Sequence, residues 1–183
     1  MKVLVCGGAG YIGSHMVRLL AEGGHDVIVF DNLSTGHREA VGDTHLVVGD
    51  LLDRAVLQTL FADHAFDVVM HFCALSQVGV SVAEPYRYYH NNVTGTLNLL
   101  QAMQTAEVTK LVFSSTAAVF GNPETDLIDE SHPTRPANPY GASKLMVEQM
   151  LADATHAYGL SSVALRYFNA AGADPSGEIG ESH

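Results

Sequence analysis

Apolar positions along the chain fall into two patterns, short unbroken runs and stripes at helical spacing. Runs at Val3 to Cys6, Val27 to Phe30, Leu46 to Val48, Val68 to Phe72, Leu111 to Phe113 and Val163 to Leu165 predict six strands. Between the first two, Ile12, Met16, Leu19 and Leu20 recur as one face of a helix that Gly23-Gly24 stops. Asp53 predicts the N-cap of a short helix with Val56, Leu57, Leu60 and Phe61 on its inner side. A long helix is predicted from Pro85 to about Gln104, with Val93, Leu97, Leu100 and Met103 on one side. A second begins near Tyr140 and ends near Tyr158, and the proline-rich stretch from Gly121 to Pro139 between them reads as a surface loop.

Strands without polar alternation are buried on both faces, and strands joined by helices imply a parallel sheet with right-handed crossovers. The predicted class is therefore α/β, a doubly wound parallel sheet with helices on both faces, formed by residues 1–183 as one domain. No internal repeat or low-complexity tract breaks this organisation.

Composition narrows the partners. A chain of 183 residues with 47% apolar and 16% charged positions builds one substantial core. Its formal net charge is −11 and no Lys/Arg cluster interrupts it, so neither nucleic acid nor a membrane surface is an expected partner. A protein this acidic must hold an anionic nucleotide with backbone N–H groups and helix ends. Cys6 and Cys73 lie in apolar runs and read as buried free thiols. The first strand meets glycines too soon for a signal peptide, and no apolar stretch reaches the ~18 residues of a membrane span. The expected location is cytoplasmic. The ten histidines are scattered, with no H-x-x-x-H pair, and no metal site is expected.

Candidate chemistry begins at Gly7-Gly8-Ala9-Gly10-Tyr11-Ile12-Gly13, between the first strand and the first helix. Glycines there permit a tight turn and let backbone N–H groups approach a pyrophosphate at the helix N-terminus, and Gly13 allows helix and strand to pack closely. Asp31 ends the second strand, where an acid accepts hydrogen bonds from adenosine ribose hydroxyls. A 2′-phosphate would be repelled there, so NAD is favoured over NADP. Asp50, closing the third strand, is placed to meet the adenine amino group.

Tyr140 and Lys144 stand four residues apart at the start of a helix, so both project from one face. A phenol with an ordinary pKa near ~10 is a poor base at neutral pH. A neighbouring ammonium and a cationic nicotinamide are expected to favour its phenolate, making Tyr140 a general base and Lys144 its tuner and a ribose ligand. Thr116, just beyond the fifth strand, lies on the carboxyl edge where such sheets bind ligands, and its hydroxyl can share a proton between a sugar hydroxyl and Tyr140.

These residues resemble the extended short-chain dehydrogenase/reductase family, with its Rossmann-type fold, and within it the enzymes that epimerise UDP-hexoses at C4. The likeness rests on Gly7 to His15, Asp31 to Gly36, Gly49-Asp50-Leu51, His71-Phe72, Tyr88 to Val93, Asn138 to Lys144 and Leu165 to Asn169. It implies an NAD cofactor, with Gly7, Gly10, Tyr11, Ile12 and Gly13 at the pyrophosphate. Asp31, Asn32, Leu33, Ser34, Thr35 and Gly36 would surround adenosine, and Asp50 and Leu51 would flank adenine. Phe72, Cys73, Ala74, Leu75 and Ser76 would line the inner cleft with Asn91 nearby. Lys144 would hold the nicotinamide ribose, and Phe168 would lie beside the nicotinamide. Thr116, Tyr140 and Asn169 would bind the UDP-sugar, Asn169 at its diphosphate. The implied activity is an internal redox cycle through a transient 4-keto sugar, interconverting UDP-galactose and UDP-glucose.

The likeness covers about the first half of a typical member. Residues 170–183 would begin the connection to a C-terminal substrate domain that the 183 residues do not contain, and a homodimer through helices at about 86–104 and 140–158 is implied. Sugar-nucleotide dehydratases place Asp-Glu after the threonine, where this chain has Ala117-Ala118, so dehydration is not expected. Another nucleotide-sugar epimerase or decarboxylase of the family, a simple ketoreductase, and a non-catalytic NAD-binding module remain alternatives.

Overall fold

The computed structural model describes residues 1–181. Strands β1 (Lys2–Cys6), β2 (Asp26–Asp31), β3 (His45–Val48), β4 (Val68–His71), β5 (Lys110–Thr116) and β6 (Ser161–Tyr167) form one sheet. Their order is β3-β2-β1-β4-β5-β6, with every neighbouring pair parallel. The chain runs outward from β1 to the β3 edge, then crosses back to β4 on the other side of β1. Loops at the carboxyl ends of β1 and β4 therefore diverge, opening the crevice in which doubly wound sheets bind ligands.

β1 shows why the runs lack alternation. Leu4 and Cys6 enter one core with Ile28, Phe30, Val69 and Phe113, whereas Val3 and Val5 enter a second with Val27, Val29 and Met70. Helices α2 (Arg54–Asp63), α5 (Gly95–Thr105) and α6 (Pro139–Tyr158) contribute Leu57, Leu99 and Val147 to the first. Helix α1 (Tyr11–Glu22) contributes Val17 to the second. Two short helices, α3 (Val78–Ala83) and α4 (Pro85–Tyr88), precede a π-helical turn at Tyr89–Thr94 that runs straight into α5.

Two inner faces differ from expectation. On α1 the buried residues are Gly13, Ser14 and Val17, and Leu19 is 63% exposed. Small side chains bring this helix close to the sheet, so its largest apolar residues lie on the flank. On α5 the buried stripe is Thr96, Asn98, Leu99, Ala102 and Met103, with Leu97 exposed. Polar residues occupy this inner face because their partners are buried too: Thr96 meets His71 and the Asn92 carbonyl, and Asn98 donates to the Leu51 carbonyl.

Asp53 caps α2 as predicted, its Oδ1 accepting from the N–H groups of Ala55 and Val56 at 3.0 and 3.2 Å. Asp53→Ala is expected to cost about 1 kcal/mol, read as a lowered urea midpoint at unchanged m-value; an unchanged midpoint would show that the cap is silent.

Beyond β6 the chain folds back over α1. The Tyr11 hydroxyl donates to the Gly172 carbonyl at 2.6 Å, Arg18 pairs with Asp174 and Glu178, and Ala173 bridges Gly180. The last two residues of the 170–183 segment lie outside the described residues.

Candidate active site

The crevice at the carboxyl ends of the strands is an open cleft. Of the residues expected around a dinucleotide, Gly7, Gly10, Asp31, Asn32, Ser34, Thr35, Gly36, Asp50, Leu51, Phe72, Cys73, Ala74, Leu75 and Asn91 line it. Phe30 and Gly49 line it too and were missed. They adjoin Asp31 and Asp50 in sequence, and a Cβ on Gly49 would stand 2.6 Å from the Phe30 ring, so the two fit as a pair. Tyr11, Ile12, Gly13, Leu33, Ser76, Lys144, Phe168 and Asn169 are outside this lining. Ser76, Phe168 and Asn169 are exposed, the latter two because they run past the end of β6 at the sheet edge.

The glycine turn is built as an anion cradle. Gly7 has φ +81°, and a Cβ there would lie 2.7 Å from the Cys73 nitrogen, closing the strand ends on each other. Gly10 is the N-cap of α1 and, having no side chain, makes no side-chain cap hydrogen bond. That leaves the first turn open to a pyrophosphate, which its N–H groups and dipole favour. Asp31 is buried; its Oδ2 accepts from Ala9 N–H at 3.0 Å and its Oδ1 from Leu33 N–H at 2.8 Å. A carboxylate oxygen keeps a further lone pair beyond one such bond, so Asp31 can still receive ribose hydroxyls. Asp50 is tied in the same way, to Leu52 N–H and the Asn32 amide, each at 2.8 Å. NAD fits this donor and acceptor set, and the Asp31 carboxylate disfavours a 2′-phosphate.

Thr116, Tyr140 and Lys144 meet at the end of β5. The Tyr140 phenol neighbours the Thr116 hydroxyl, whose oxygen accepts from Ala118 N–H at 3.1 Å. Asn138 caps α6 by accepting from Gly141 N–H, fixing where Tyr140 leaves the first turn. Lys144 is fully enclosed, donates to the Ser114 carbonyl at 2.8 Å and lies 4.7 Å from the Phe113 ring centroid. Burial lowers its pKa from the ordinary 10.5 to about 8. The Tyr140 phenol departs from expectation: burial raises its pKa, and the Thr116 hydroxyl beside it only partly offsets that. Lys144 spends its charge on the strand carbonyl, so desolvation controls the phenol in the protein alone.

Asn92, in the π-helical turn, was not singled out from the sequence. Its side chain binds both the N–H and the carbonyl of Leu75 and donates to Ser143 Oγ at 3.0 Å. It thereby ties the inner wall of the cleft to α6. Below it, Thr96 donates to the Asn92 carbonyl, so His71 Nε2 must carry the proton it shares with Thr96. His71 Nδ1 is then a buried acceptor without a partner among the described residues. Burial, assisted by Lys144, lowers the His71 pKa to about 3.

A histidine whose folded value is about 3 and whose ordinary value is 6.5 binds its proton in the unfolded chain first. As pH falls from 6.5 towards 3 the folded chain should lose stability, by up to roughly 1.4 kcal/mol per pH unit from this group. Urea titrations at several pH values should show this slope, with His71→Asn flattening it; an equal slope in both would assign the acid sensitivity elsewhere.

Among the described residues no helix is long and apolar enough to cross a membrane. A doubly wound sheet with a glycine turn heading α1 and a Thr–Tyr–Lys set closing β5 defines a Rossmann-type domain of the short-chain dehydrogenase/reductase class. More narrowly, the chain belongs to the NAD dependent epimerase/dehydratase family, whose model matches residues 3–183. It is 55% identical over 183 residues to the UDP-glucose 4-epimerase of Halalkalibacterium halodurans, covering all of this chain and 55% of that protein. The UDP-glucose 4-epimerase from Brucella ovis in complex with NAD superposes with a TM-score of 0.97 at 50% identity, covering 100% of this chain and 56% of that one. The enzyme from Bifidobacterium longum in complex with NAD+ and UDP gives 0.95 at 42% identity, covering 99% and 57%. The chain thus spans about half the length of the curated relatives it matches.

Proposed function

We propose that this chain holds NAD and the proton-transfer residues of an enzyme that interconverts UDP-galactose and UDP-glucose by epimerisation at C4. The observation that carries the reading is the meeting of Thr116, Tyr140 and Lys144 beside a cleft whose walls suit NAD. The names of the relatives agree with it.

NAD, when bound, supplies a hydride acceptor and returns the hydride. The protein supplies the proton handling and the positioning. Tyr140 Oη takes the proton of the sugar 4-hydroxyl as the C4 hydride leaves, giving a 4-keto sugar, and returns it when hydride comes back on the other face. Thr116 orients the phenol beside it and offers a second contact to the same sugar oxygen. Lys144 lends positive charge below the phenol and holds ribose hydroxyls. Asp31 with Asn32 to Gly36 receives adenosine, the Gly7–Gly13 turn receives the pyrophosphate, and Asn169 meets the UDP diphosphate. Residues 1–183 act as the dinucleotide-binding domain, with 170–183 starting the connection to the part that encloses the UDP-sugar. Leu97 and Met146, apolar and 43% and 49% exposed on α5 and α6, favour a homodimer through those helices. Free Cys6 and Cys73 suit a reducing cytoplasm.

Incubation with UDP-galactose and NAD, followed by NMR of the anomeric protons, tests the reading. UDP-glucose should form without net NADH. Net accumulation of NADH at 340 nm would instead indicate a dehydrogenase or ketoreductase.

A further inference from the structure

We propose that Glu148 and Arg166, neither of which lines the cleft, are positioning residues that set where Lys144 and Tyr140 stand. Tyr140, Lys144 and Glu148 follow one another at four-residue intervals, forming one stripe of α6. Three consecutive residues of β5 receive that stripe. The Ser114 carbonyl accepts from Lys144 Nζ, the Ser115 hydroxyl donates to Glu148 Oε1, and the Thr116 hydroxyl neighbours the Tyr140 phenol. Arg166 stands opposite Ser115 in the register of β5 and β6. Its guanidinium grips Glu148 with two prongs, Nη2 to Oε2 at 2.7 Å and Nε to Oε1 at 3.1 Å.

The clasp reaches a third element. The Arg166 guanidinium lies 4.9 Å from the Phe120 ring centroid, and the His132 ring meets the edge of Phe120 at 5.5 Å. His132 in turn accepts the Glu124 N–H at 3.0 Å. Helix α6, the end of β5 and the loop beyond Thr116 are therefore joined at one guanidinium.

The pair differs from the surface ion pairs of this chain. Arg87 and Glu84 have side chains 59% and 50% exposed, whereas those of Arg166 and Glu148 are 23% and 11% exposed. Surface pairs contribute little, but removing one partner of a shielded bidentate pair strands the other charge in a poorly solvated place. Without Arg166, the nearest cation one helical turn away is Lys144. A stranded Glu148 carboxylate would draw that ammonium, or water, and take it from the Ser114 carbonyl.

The catalytic meaning rests on the reaction proposed above; the placement of Lys144 does not, and it can be read directly. The chain has three lysines, Lys2, Lys110 and Lys144. ¹³C-labelled lysine NMR of the whole chain, with Lys144→Met as the assignment standard, should therefore resolve the titration of Lys144. In the unaltered chain its midpoint should lie about 8. Arg166→Met should move it upward by about one pH unit or more, towards an ordinary lysine, as the ammonium gains water or a carboxylate neighbour. Arg166→Lys, which keeps the charge but not the fork, should fall between the two. Should Arg166→Met not fold, Glu148→Gln serves in its place, since it weakens the fork while keeping the shape, and it too should displace the midpoint. A folded Arg166→Met or Glu148→Gln chain with the Lys144 midpoint unmoved overturns the proposal. Failure of the unaltered protein to epimerise overturns the reaction instead, and leaves the titration result standing.

Discussion

In the proposed reaction, Tyr140→Phe should cut UDP-galactose turnover by orders of magnitude while leaving the fold and the dinucleotide cleft in place. The substitution removes one oxygen from a side chain that meets Thr116 and touches no strand hydrogen bond. Stability should fall by about 1 kcal/mol at most, the net worth of one hydrogen bond. Turnover should fall by roughly 10²–10⁴-fold, because the sugar 4-hydroxyl then has no positioned proton acceptor. Thr116 cannot replace it, since a hydroxyl relays a proton only if a base stands behind it. Steady-state kinetics with UDP-galactose, beside NAD retention by the same sample, separates the two effects. Turnover within a few-fold of the unaltered protein would mean that another group takes the proton.

Gly13→Ala should be costly by a different route. An added Cβ would stand 2.0 Å from the Gly7 carbonyl oxygen and 2.9 Å from the Gly8 Cα, against backbone that cannot swing aside. Relief requires α1 to move away from the turn that heads it. That should destabilise the domain by about 1–3 kcal/mol and displace the N–H groups that await a pyrophosphate. NAD affinity and thermal midpoint should fall together. Gly79→Ala is the control: it sits in α3 at an ordinary backbone conformation with nothing within 4 Å of a new Cβ, so it should be neutral or slightly stabilising. Equal behaviour of the two variants would refute the packing account of Gly13.

What the sequence made legible follows from how each signal is encoded. The inner strands β1, β2, β4 and β5 could be placed because a strand between two cores carries an unbroken apolar run; the edge strands β3 and β6 carry one too, although Val48 and Val163 are half-exposed rather than buried on both faces as expected. The glycine turn could be placed because close backbone approach at Gly7 and Gly13 leaves no room for a Cβ. Asp31 and Asp50 could be placed at the cleft, and Thr116 at the end of β5, because strand carboxyl ends are where this sheet class opens. The inner face of α5 and of the turn before it was not legible, because Asn92, Thr96 and Asn98 are polar and buried. Only the folded partners, Leu75, Ser143, His71 and Leu51, reveal that their hydrogen bonds are satisfied. Burial also overrode the expected lowering of the Tyr140 pKa by Lys144, a balance that spacing along a helix does not carry. Glu148 carries no signal of its own in the sequence for the same reason: its partner Arg166 comes from β6 and meets it only in the fold.

The central claim is that this chain binds NAD through the cleft bounded by the glycine turn and Asp31, and isothermal titration with NAD and with NADP tests it most directly. One-to-one binding of NAD, weakened strongly by Gly13→Ala and much tighter than that of NADP, is the predicted result. Absence of NAD binding by the folded chain, or a preference for NADP, would contradict it.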